Sequence, residues 1–234
     1  MLTLMNKKLK NITQSTPSPS DKTGVKIKVC GMKYKDNIEQ VAGLQPNYLG
    51  FIFYEKSARH FDSKNIPKIP KTIIKTGVFV NEDIVSVLEK IKTYNLQAVQ
   101  LHGDEAPEYC LKLKSVTSTT VEIIKVFSIK NEFNFDILKP YQNVCDYFLF
   151  DTKGKLPGGN GYPFDWNVLN NYPSTKPFFL SGGIGLNEIE KIKKFQQSKA
   201  SKYCYAIDVN SKFEIEPGLK NIELLNYFKE KLKE

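Results

Sequence analysis

Two residues of this sequence have side chains that could together transfer protons: Cys30 and Asp151. Each ends a short apolar run that predicts a β-strand, Val25–Cys30 for the first and Asp146–Asp151 for the second. A thiolate can accept a proton and a carboxylic acid can donate one, and such chemistry needs two groups in opposite protonation states. Each residue alone has a plainer interpretation, because cysteine is often a small buried apolar residue and aspartate often caps a turn.

Arg59 and His102 are candidates for contacts with a substrate. Arg59 follows the second apolar run and is the only arginine among 34 basic residues. Gripping a planar carboxylate by two parallel hydrogen bonds requires a guanidinium group, although a surface arginine without a function is the alternative. His102 follows the fourth run in His102-Gly103-Asp104, a stretch that could equally start a helix with Asp104 as its N-cap.

Two glycine and polar clusters near the end of the chain indicate a phosphate site. Gly182 and Gly183 precede a predicted helix, and glycine lets backbone N–H groups approach a phosphate at a helix N-terminus. The same pair could instead form a simple tight turn. The last apolar run ends in Asp208, Asn210 and Ser211, which would lie beside the two glycines if the runs form neighbouring strands.

The elements that position these residues form a regular alternation from residue 25 onward. Short β-branched and apolar runs predict eight strands: Val25–Cys30, Tyr48–Phe53, Ile73–Val80, Ala98–Leu101, Val121–Val126, Asp146–Asp151, Pro177–Ser181 and Tyr203–Asp208. Amphipathic stretches between them predict eight helices: Asn37–Gly43, Asp62–Ile66, Glu82–Tyr94, Pro107–Leu113, Asn134–Leu138, Asp165–Asn170, Leu186–Gln197 and Asn221–Lys231. The second, fifth and sixth of these helices are short or poorly patterned.

Eight β/α units predict an α/β fold, a single-domain (β/α)₈ TIM barrel over residues 25–234. The active site of such a barrel forms at the carboxyl ends of the strands. Strands one and six would lie on opposite sides of the mouth, so Cys30 and Asp151 would face each other across it. A doubly wound sheet is the alternative, but the stretch Cys30-Gly31-Met32-Lys33 lacks its glycine fingerprint, and no P-loop motif is present.

Composition limits the partners and the cellular compartment that we expect for this domain. The net charge of +9 comes mainly from dispersed lysines, without the basic and aromatic stripe expected for nucleic-acid binding. The four cysteines form no CxxC pair and no zinc spacing, which favours reduced thiols in the cytoplasm and no metal site. We expect no signal peptide and no membrane span. Residues 1–24 are expected to form a flexible extension, and the glycine-rich loop 153–162 a mobile lid.

Seven segments, in order, resemble the phosphoribosylanthranilate isomerase family of tryptophan biosynthesis: KVCGMK, LGFIFYEKSARHF, TGVFVNE, VQLHGDE, LFDT with PGGNGYPFDW, LSGGI and IDVNSKFEIEPGLKN. The resemblance covers residue 25 to the end. It implies a (β/α)₈ barrel that carries out an Amadori rearrangement of N-(5-phosphoribosyl)anthranilate. No cofactor and no metal are implied.

The resemblance also implies roles for individual residues, which are assigned by their positions in the matching segments. Cys30 resembles the general base that removes the proton from sugar C2, and Asp151 the general acid that protonates the ring oxygen. Arg59 resembles the residue that holds the anthranilate carboxylate, and His102 a histidine of the pocket wall. The residues that resemble the phosphate-binding strand ends are Gly182, Gly183, Asp208, Asn210 and Ser211.

One segment departs from the family pattern. The family usually reads DVSSGVE where this chain has DVNSKFE, so Asn210 replaces a serine and Lys212 replaces a glycine. If that glycine has a positive φ, Lys212 would be strained.

Two other functions remain open at this point. Another phosphate-binding barrel enzyme would need a different base: indole-glycerol-phosphate synthase would need a pocket lysine, and a histidine-pathway isomerase an aspartate at the position of Cys30. A non-catalytic basic barrel that binds RNA or protein would need a contiguous positive surface away from the mouth. We expect a small sugar phosphate as the partner, and a monomer, with a homodimer as the alternative.

Overall fold

The computed structural model describes residues 25–118, 120–130, 132–152 and 163–234. The predicted N-terminal extension, residues 1–24, and the predicted lid, residues 153–162, lie outside the described residues.

Eight parallel strands close into a barrel in sequence order, with the last strand pairing with the first. Their bounds are β1 (Lys26–Val29), β2 (Tyr48–Ile52), β3 (Ile74–Phe79), β4 (Ala98–Leu101), β5 (Glu122–Ile129), β6 (Tyr147–Thr152), β7 (Phe178–Leu180) and β8 (Cys204–Val209). The predicted barrel and its eight strands are therefore confirmed. A two-stranded hairpin, β9 (Glu214–Glu216) and β10 (Leu219–Lys220), follows β8.

In the part of the chain that the structure describes, five α-helices lie between or after the strands: α1 (Lys35–Gly43), α2 (Ile84–Tyr94), α3 (Pro107–Val116), α4 (Ile189–Gln196) and α5 (Ile222–Lys231). They confirm the first, third, fourth, seventh and eighth predicted helices. Short 3₁₀ helices occupy Phe135–Tyr141 and Trp166–Asn171, where the fifth and sixth were predicted, and further 3₁₀ turns occupy Leu186–Glu188, Lys199–Tyr203 and Ser211–Phe213.

The prediction of a helix over Asp62–Ile66 is wrong. The chain between β2 and β3 has no helix from residue 62 to residue 72, and a single hydrogen-bonded turn follows Pro70. Pro67 and Pro70 explain this result, because proline lacks an N–H donor and disfavours helical geometry in the residue before it.

Alternation along the strands separates two apolar layers. Side chains such as Val29, Val99 and Leu101 point outward into the core between strands and helices. Inside the barrel, Phe179 packs edge-to-face on Tyr48 and Tyr147, with ring centroids 5.2 and 5.4 Å apart, respectively. This interior packing fills the barrel below its carboxyl end and leaves the polar residues at the mouth.

Among the helices that the structure describes, none combines the length and the apolar character needed to cross a bilayer.

Candidate active site

One cavity at the carboxyl ends of the strands contains every site residue predicted from the sequence. Its space is about 740 Å³ when the solvent in the open mouth is counted. The predicted residues that line it are Cys30, Arg59, His102, Asp151, Gly182, Gly183, Asp208, Asn210 and Ser211. They come from six loops or strand ends that only closure of the barrel brings together.

Asp151, at the end of β6, lies beside His102. Its Oδ2 atom is 3.4 Å from Nε2 of His102, and its Oδ1 atom accepts a 2.8 Å hydrogen bond from the backbone N–H of Thr152. Nε2 of Gln100 lies 3.0 Å from Nδ1 of His102. If that amide nitrogen donates to Nδ1, the proton of a neutral His102 is on Nε2 and faces Asp151. The imidazole is thus fixed between an amide and a carboxyl group.

Cys30 directly follows β1 and is buried, yet it borders the cavity. It packs over Gly50 of β2, where an added Cβ would lie only 2.7 Å from the Cys30 sulfur. Burial raises the pKa of the Cys30 thiol above its ordinary value, while the charges of Lys28 and Lys220 lower it. The thiol therefore borders the cavity, and the charges of two lysines act on it.

Lys28 lies one pleat below Cys30 on the same face of β1. Its Nζ atom is 2.9 Å from Oδ1 of Asp208 on β8, and its side chain is fully buried. Burial alone lowers the pKa of Lys28, but Asp208 and Cys30 outweigh it and raise that pKa above its ordinary value. The other carboxylate oxygen of Asp208 accepts a 3.3 Å hydrogen bond from Ser181. The Asp208 carboxylate is thus engaged within the protein.

Arg59 reaches the cavity but is paired with Glu214 of β9. Its Nε and Nη2 atoms donate to the two carboxylate oxygens at 2.9 and 2.7 Å. Only 19% of the Arg59 side chain is exposed. Burial alone would raise the pKa of Glu214, but the hydrogen bonds from Arg59 and the charge of Lys220 hold it below its ordinary value.

Lys220 of β10 links the loop after β8 to the Arg59–Glu214 pair. Its Nζ atom donates to Oδ1 of Asn210 at 2.6 Å and to Glu214 at 2.7 Å. Burial lowers the pKa of Lys220 to about 8, with Glu214 acting in the opposite direction. Asn210 is therefore positioned by a buried cation.

The glycines after β7 adopt conformations that other residues avoid. Gly182 and Gly183 have φ values of 93° and 66°. A Cβ on Gly182 would lie 2.3 Å from Oγ1 of Thr152 and 2.9 Å from Oδ1 of Asp151. The 3₁₀ turn Leu186–Glu188 follows and leads into α4. The backbone is thus bent next to the carboxyl group of Asp151.

Lys212 carries no backbone strain. Positive φ values in non-glycine residues occur elsewhere in the described chain, and Lys212 belongs to the 3₁₀ turn that starts at Ser211. Its side chain is exposed. The strain considered for the replacement of glycine by lysine therefore does not arise.

Sequence reasoning missed four charged or polar residues of this region: Lys28, Gln100, Glu214 and Lys220. Alternation within β1 and β4 was a usable signal for the first two, because Lys28 and Gln100 occupy positions that face the barrel interior. Glu214 and Lys220 gave no such signal, since their contacts with Arg59 and Asn210 depend on how the hairpin folds back.

A closed parallel barrel with a thiol, two carboxyl groups and an imidazole at the carboxyl ends of its strands defines a (β/α)₈-barrel enzyme. Comparison with known proteins identifies which one. The family model for N-(5'phosphoribosyl)anthranilate (PRA) isomerase matches residues 27–231. The N-(5'-phosphoribosyl)anthranilate isomerase of Parabacteroides distasonis is 43% identical over 212 residues, 86% of this chain and 90% of that protein.

Solved structures agree with the sequence relatives. The phosphoribosyl anthranilate isomerase of Thermotoga maritima has a TM-score of 0.75 and 28% identity, covering 89% of this chain and 98% of that one. A structure of the enzyme in complex with reduced 1-(o-carboxyphenylamino)-1-deoxyribulose 5-phosphate has a TM-score of 0.72 and 26% identity, with the same coverage. The chain belongs to the N-(5'-phosphoribosyl)anthranilate isomerase family and is an isomerase of tryptophan biosynthesis. The family resemblance of the seven sequence segments is confirmed.

Proposed function

We propose that this chain converts N-(5-phosphoribosyl)anthranilate into 1-(2-carboxyphenylamino)-1-deoxyribulose 5-phosphate by an Amadori rearrangement. Cys30 is the general base and Asp151 the general acid. The observation that carries the proposal is the meeting of both residues in one cavity with the only arginine and the two positive-φ glycines. A relative of known structure binds a reduced form of the proposed product, which supports the choice of substrate.

The rearrangement requires two proton transfers that the two residues can supply. Asp151 donates its proton to the ring oxygen, the C1–O bond breaks and the furanose opens to an iminium ion. Cys30 then removes the proton from C2, and the electron pair of the C–H bond neutralises the iminium ion to form an enolamine. Tautomerisation of the enolamine gives the ketone. No electrons leave the substrate, so the proposal includes no cofactor and no metal.

Substrate orientation follows from the charges around the cavity. Arg59 directs its guanidinium toward the anthranilate carboxylate, since Nη1 makes no hydrogen bond within the described residues while Nε and Nη2 hold Glu214. Backbone N–H groups around Gly182, Gly183 and Ser211 bind the phosphate, with Asn210 beside them. Asp208 serves this end of the site indirectly, because its carboxylate is occupied by Lys28 and Ser181.

The proposal also covers the role of His102, the oligomeric state and the cellular compartment. His102 forms the pocket wall next to Asp151 and limits the positions that its carboxyl group can take. We further propose that the protein acts as a monomer in the cytoplasm, where its four free cysteines stay reduced.

A steady-state assay with freshly generated phosphoribosylanthranilate tests the mechanism. Cys30→Ala and Asp151→Asn should each lower kcat by a factor of about 10²–10⁴, the usual contribution of a general acid or base. Both variants should still bind the reduced product analogue. Cys110→Ala is the matched control, because Cys110 is equally buried but lies outside the cavity. Near-normal kcat in either variant would rule out the proposed roles.

A further inference from the structure

A fully buried lysine directly beneath the proposed base has no evident packing reason. Lys28 pairs in register with Asp208 of β8, and the two side chains meet inside the barrel at 2.9 Å. Lys28 and Cys30 are two residues apart along β1, so their side chains point to the same, inner side of the barrel. An apolar pair of similar volume would serve the fold as well or better, because removing two charges from water costs more than their attraction often returns. The cation therefore indicates a chemical role.

The charges around Cys30 are unequal in number. Lys28 on β1 and Lys220 on β10 are positive, whereas Asp208 on β8 is negative. The groups whose charges act on Cys30 itself are Lys28, Asp208 and Lys220. A thiolate at Cys30 would balance the remaining positive charge.

We propose that Lys28 is a positioning residue whose buried ammonium group stabilises the thiolate form of Cys30. The inference rests on the proposed role of Cys30 as the base. A buried thiol resists ionisation, and only the thiolate can accept the C2 proton. Lys28 lowers the free-energy cost of ionising the buried thiol. It acts from the side of Cys30 that faces away from the substrate, so it assists proton removal without touching the reacting atoms.

Lys28 and Asp208 should act on Cys30 in opposite directions. Burial raises the pKa of Cys30, Lys28 lowers it, and the Asp208 carboxylate raises it. Loss of Lys28 should therefore suppress the thiolate, and loss of the Asp208 charge should favour it. If the Lys28–Asp208 pair had only a structural role, loss of either residue would shift the pKa of Cys30 in the same direction.

The test is the pH dependence of Cys30 alkylation by iodoacetamide, followed on the Cys30 peptide by mass spectrometry. The variants are Lys28→Met and Asp208→Asn. Lys125→Met is the matched control, because Lys125 is another buried strand lysine with a carboxylate partner, Glu105, at 3.1 Å, and it lies outside the cavity. The acid limb of the kcat/KM profile is measured in parallel.

In Lys28→Met, alkylation at neutral pH should slow by about tenfold or more and its midpoint should move to higher pH, because the rate follows the thiolate fraction. In Asp208→Asn, the midpoint should move to lower pH. Unchanged midpoints, shifts of both variants in the same direction, or an equal shift in Lys125→Met would overturn the proposal. If Lys28→Met does not fold, the direction in which Asp208→Asn moves the alkylation midpoint still tests the proposal.

The outcome is separable from that of the proposed function. Full activity in Cys30→Ala would remove Cys30 as the base, whereas the alkylation midpoint reports on the thiolate whether or not the thiol is catalytic. A shifted alkylation midpoint with an unmoved acid limb would mean that Lys28 acts on Cys30 but not on the reaction, which overturns the assignment of Lys28 as a positioning residue.

Discussion

Replacing Glu214 by glutamine should both destabilise the protein and weaken binding of carboxylate ligands. Glu214 is almost fully buried and accepts hydrogen bonds from Arg59, from Lys220 at 2.7 Å and from the backbone N–H of Gly218 at 3.1 Å. A glutamine has the same shape but only one acceptor oxygen, and its amide N–H groups would face two cations. At least one cation would lose its partner.

The magnitude follows from the burial of these groups. Removing one member of a buried ion pair costs about 3–5 kcal/mol. The lower end applies here, about 3 kcal/mol, because glutamine keeps one acceptor and Arg59 retains some exposure to solvent. A domain of this size loses roughly 2–4 °C in Tm per kcal/mol, so Tm should fall by about 6–12 °C.

Thermal unfolding of Glu214→Gln is measured beside Glu216→Gln as the matched control. Glu216 lies in the same hairpin, but among the described residues its carboxylate accepts a hydrogen bond only from the hydroxyl of Tyr34, at an exposed site. Its replacement should change stability by no more than about 0.5 kcal/mol. Affinity for the reduced product analogue should fall in Glu214→Gln only, since Arg59 is then no longer held. Equal Tm values for the two variants would refute the role given to Glu214.

The sign of the pH dependence gives a second check on Glu214. Its pKa is lower in the folded protein than its ordinary value. The stabilisation is therefore fully present above the ordinary value of about 4.3 and is lost as the pH falls through the lowered folded value. The Tm difference between the parent protein and Glu214→Gln should accordingly shrink below about pH 4. A constant difference would contradict the ionic origin of the effect.

Three further substitutions test other parts of the site. Gly182→Ala should reduce both Tm and kcat, because an alanine there combines a strained φ with a clash against Thr152. Gly43→Ala is the control: its added Cβ meets no atom within 4 Å, so Tm and kcat should stay unchanged or Tm should rise slightly. The same result for both variants would refute the close approach at Gly182. Arg59→Lys should weaken analogue binding by about 1–3 kcal/mol despite the retained charge, because one ammonium group cannot replace a guanidinium that holds Glu214 and the ligand carboxylate at once, and equal affinity would exclude this role of Arg59. Lys212→Gly should change KM less than about threefold, or under about 0.7 kcal/mol, because its side chain is exposed; a tenfold loss restored by Lys212→Arg would show that the side chain binds phosphate.

The sequence alone determined the barrel and the residues at its mouth. Eight apolar runs separated by amphipathic stretches allow few other architectures, and the end of each strand must lie at the mouth once the barrel closes. Cys30, Asp151 and Gly182 were therefore predictable from their positions after strands. The helix expected at Asp62–Ile66 failed because its short amphipathic pattern was outweighed by the backbone restrictions of Pro67.

Only the tertiary structure decided what surrounds these residues. The contacts of Arg59 with Glu214 and of Lys28 with Asp208 join positions 155 and 180 residues apart in the chain. No local pattern encodes such distances, because hydrogen bonds and ion pairs depend on side-chain positions that closure of the barrel and the fold of the β9–β10 hairpin set together. The sequence thus identified the groups that could react, and the tertiary structure set the charges that act on them.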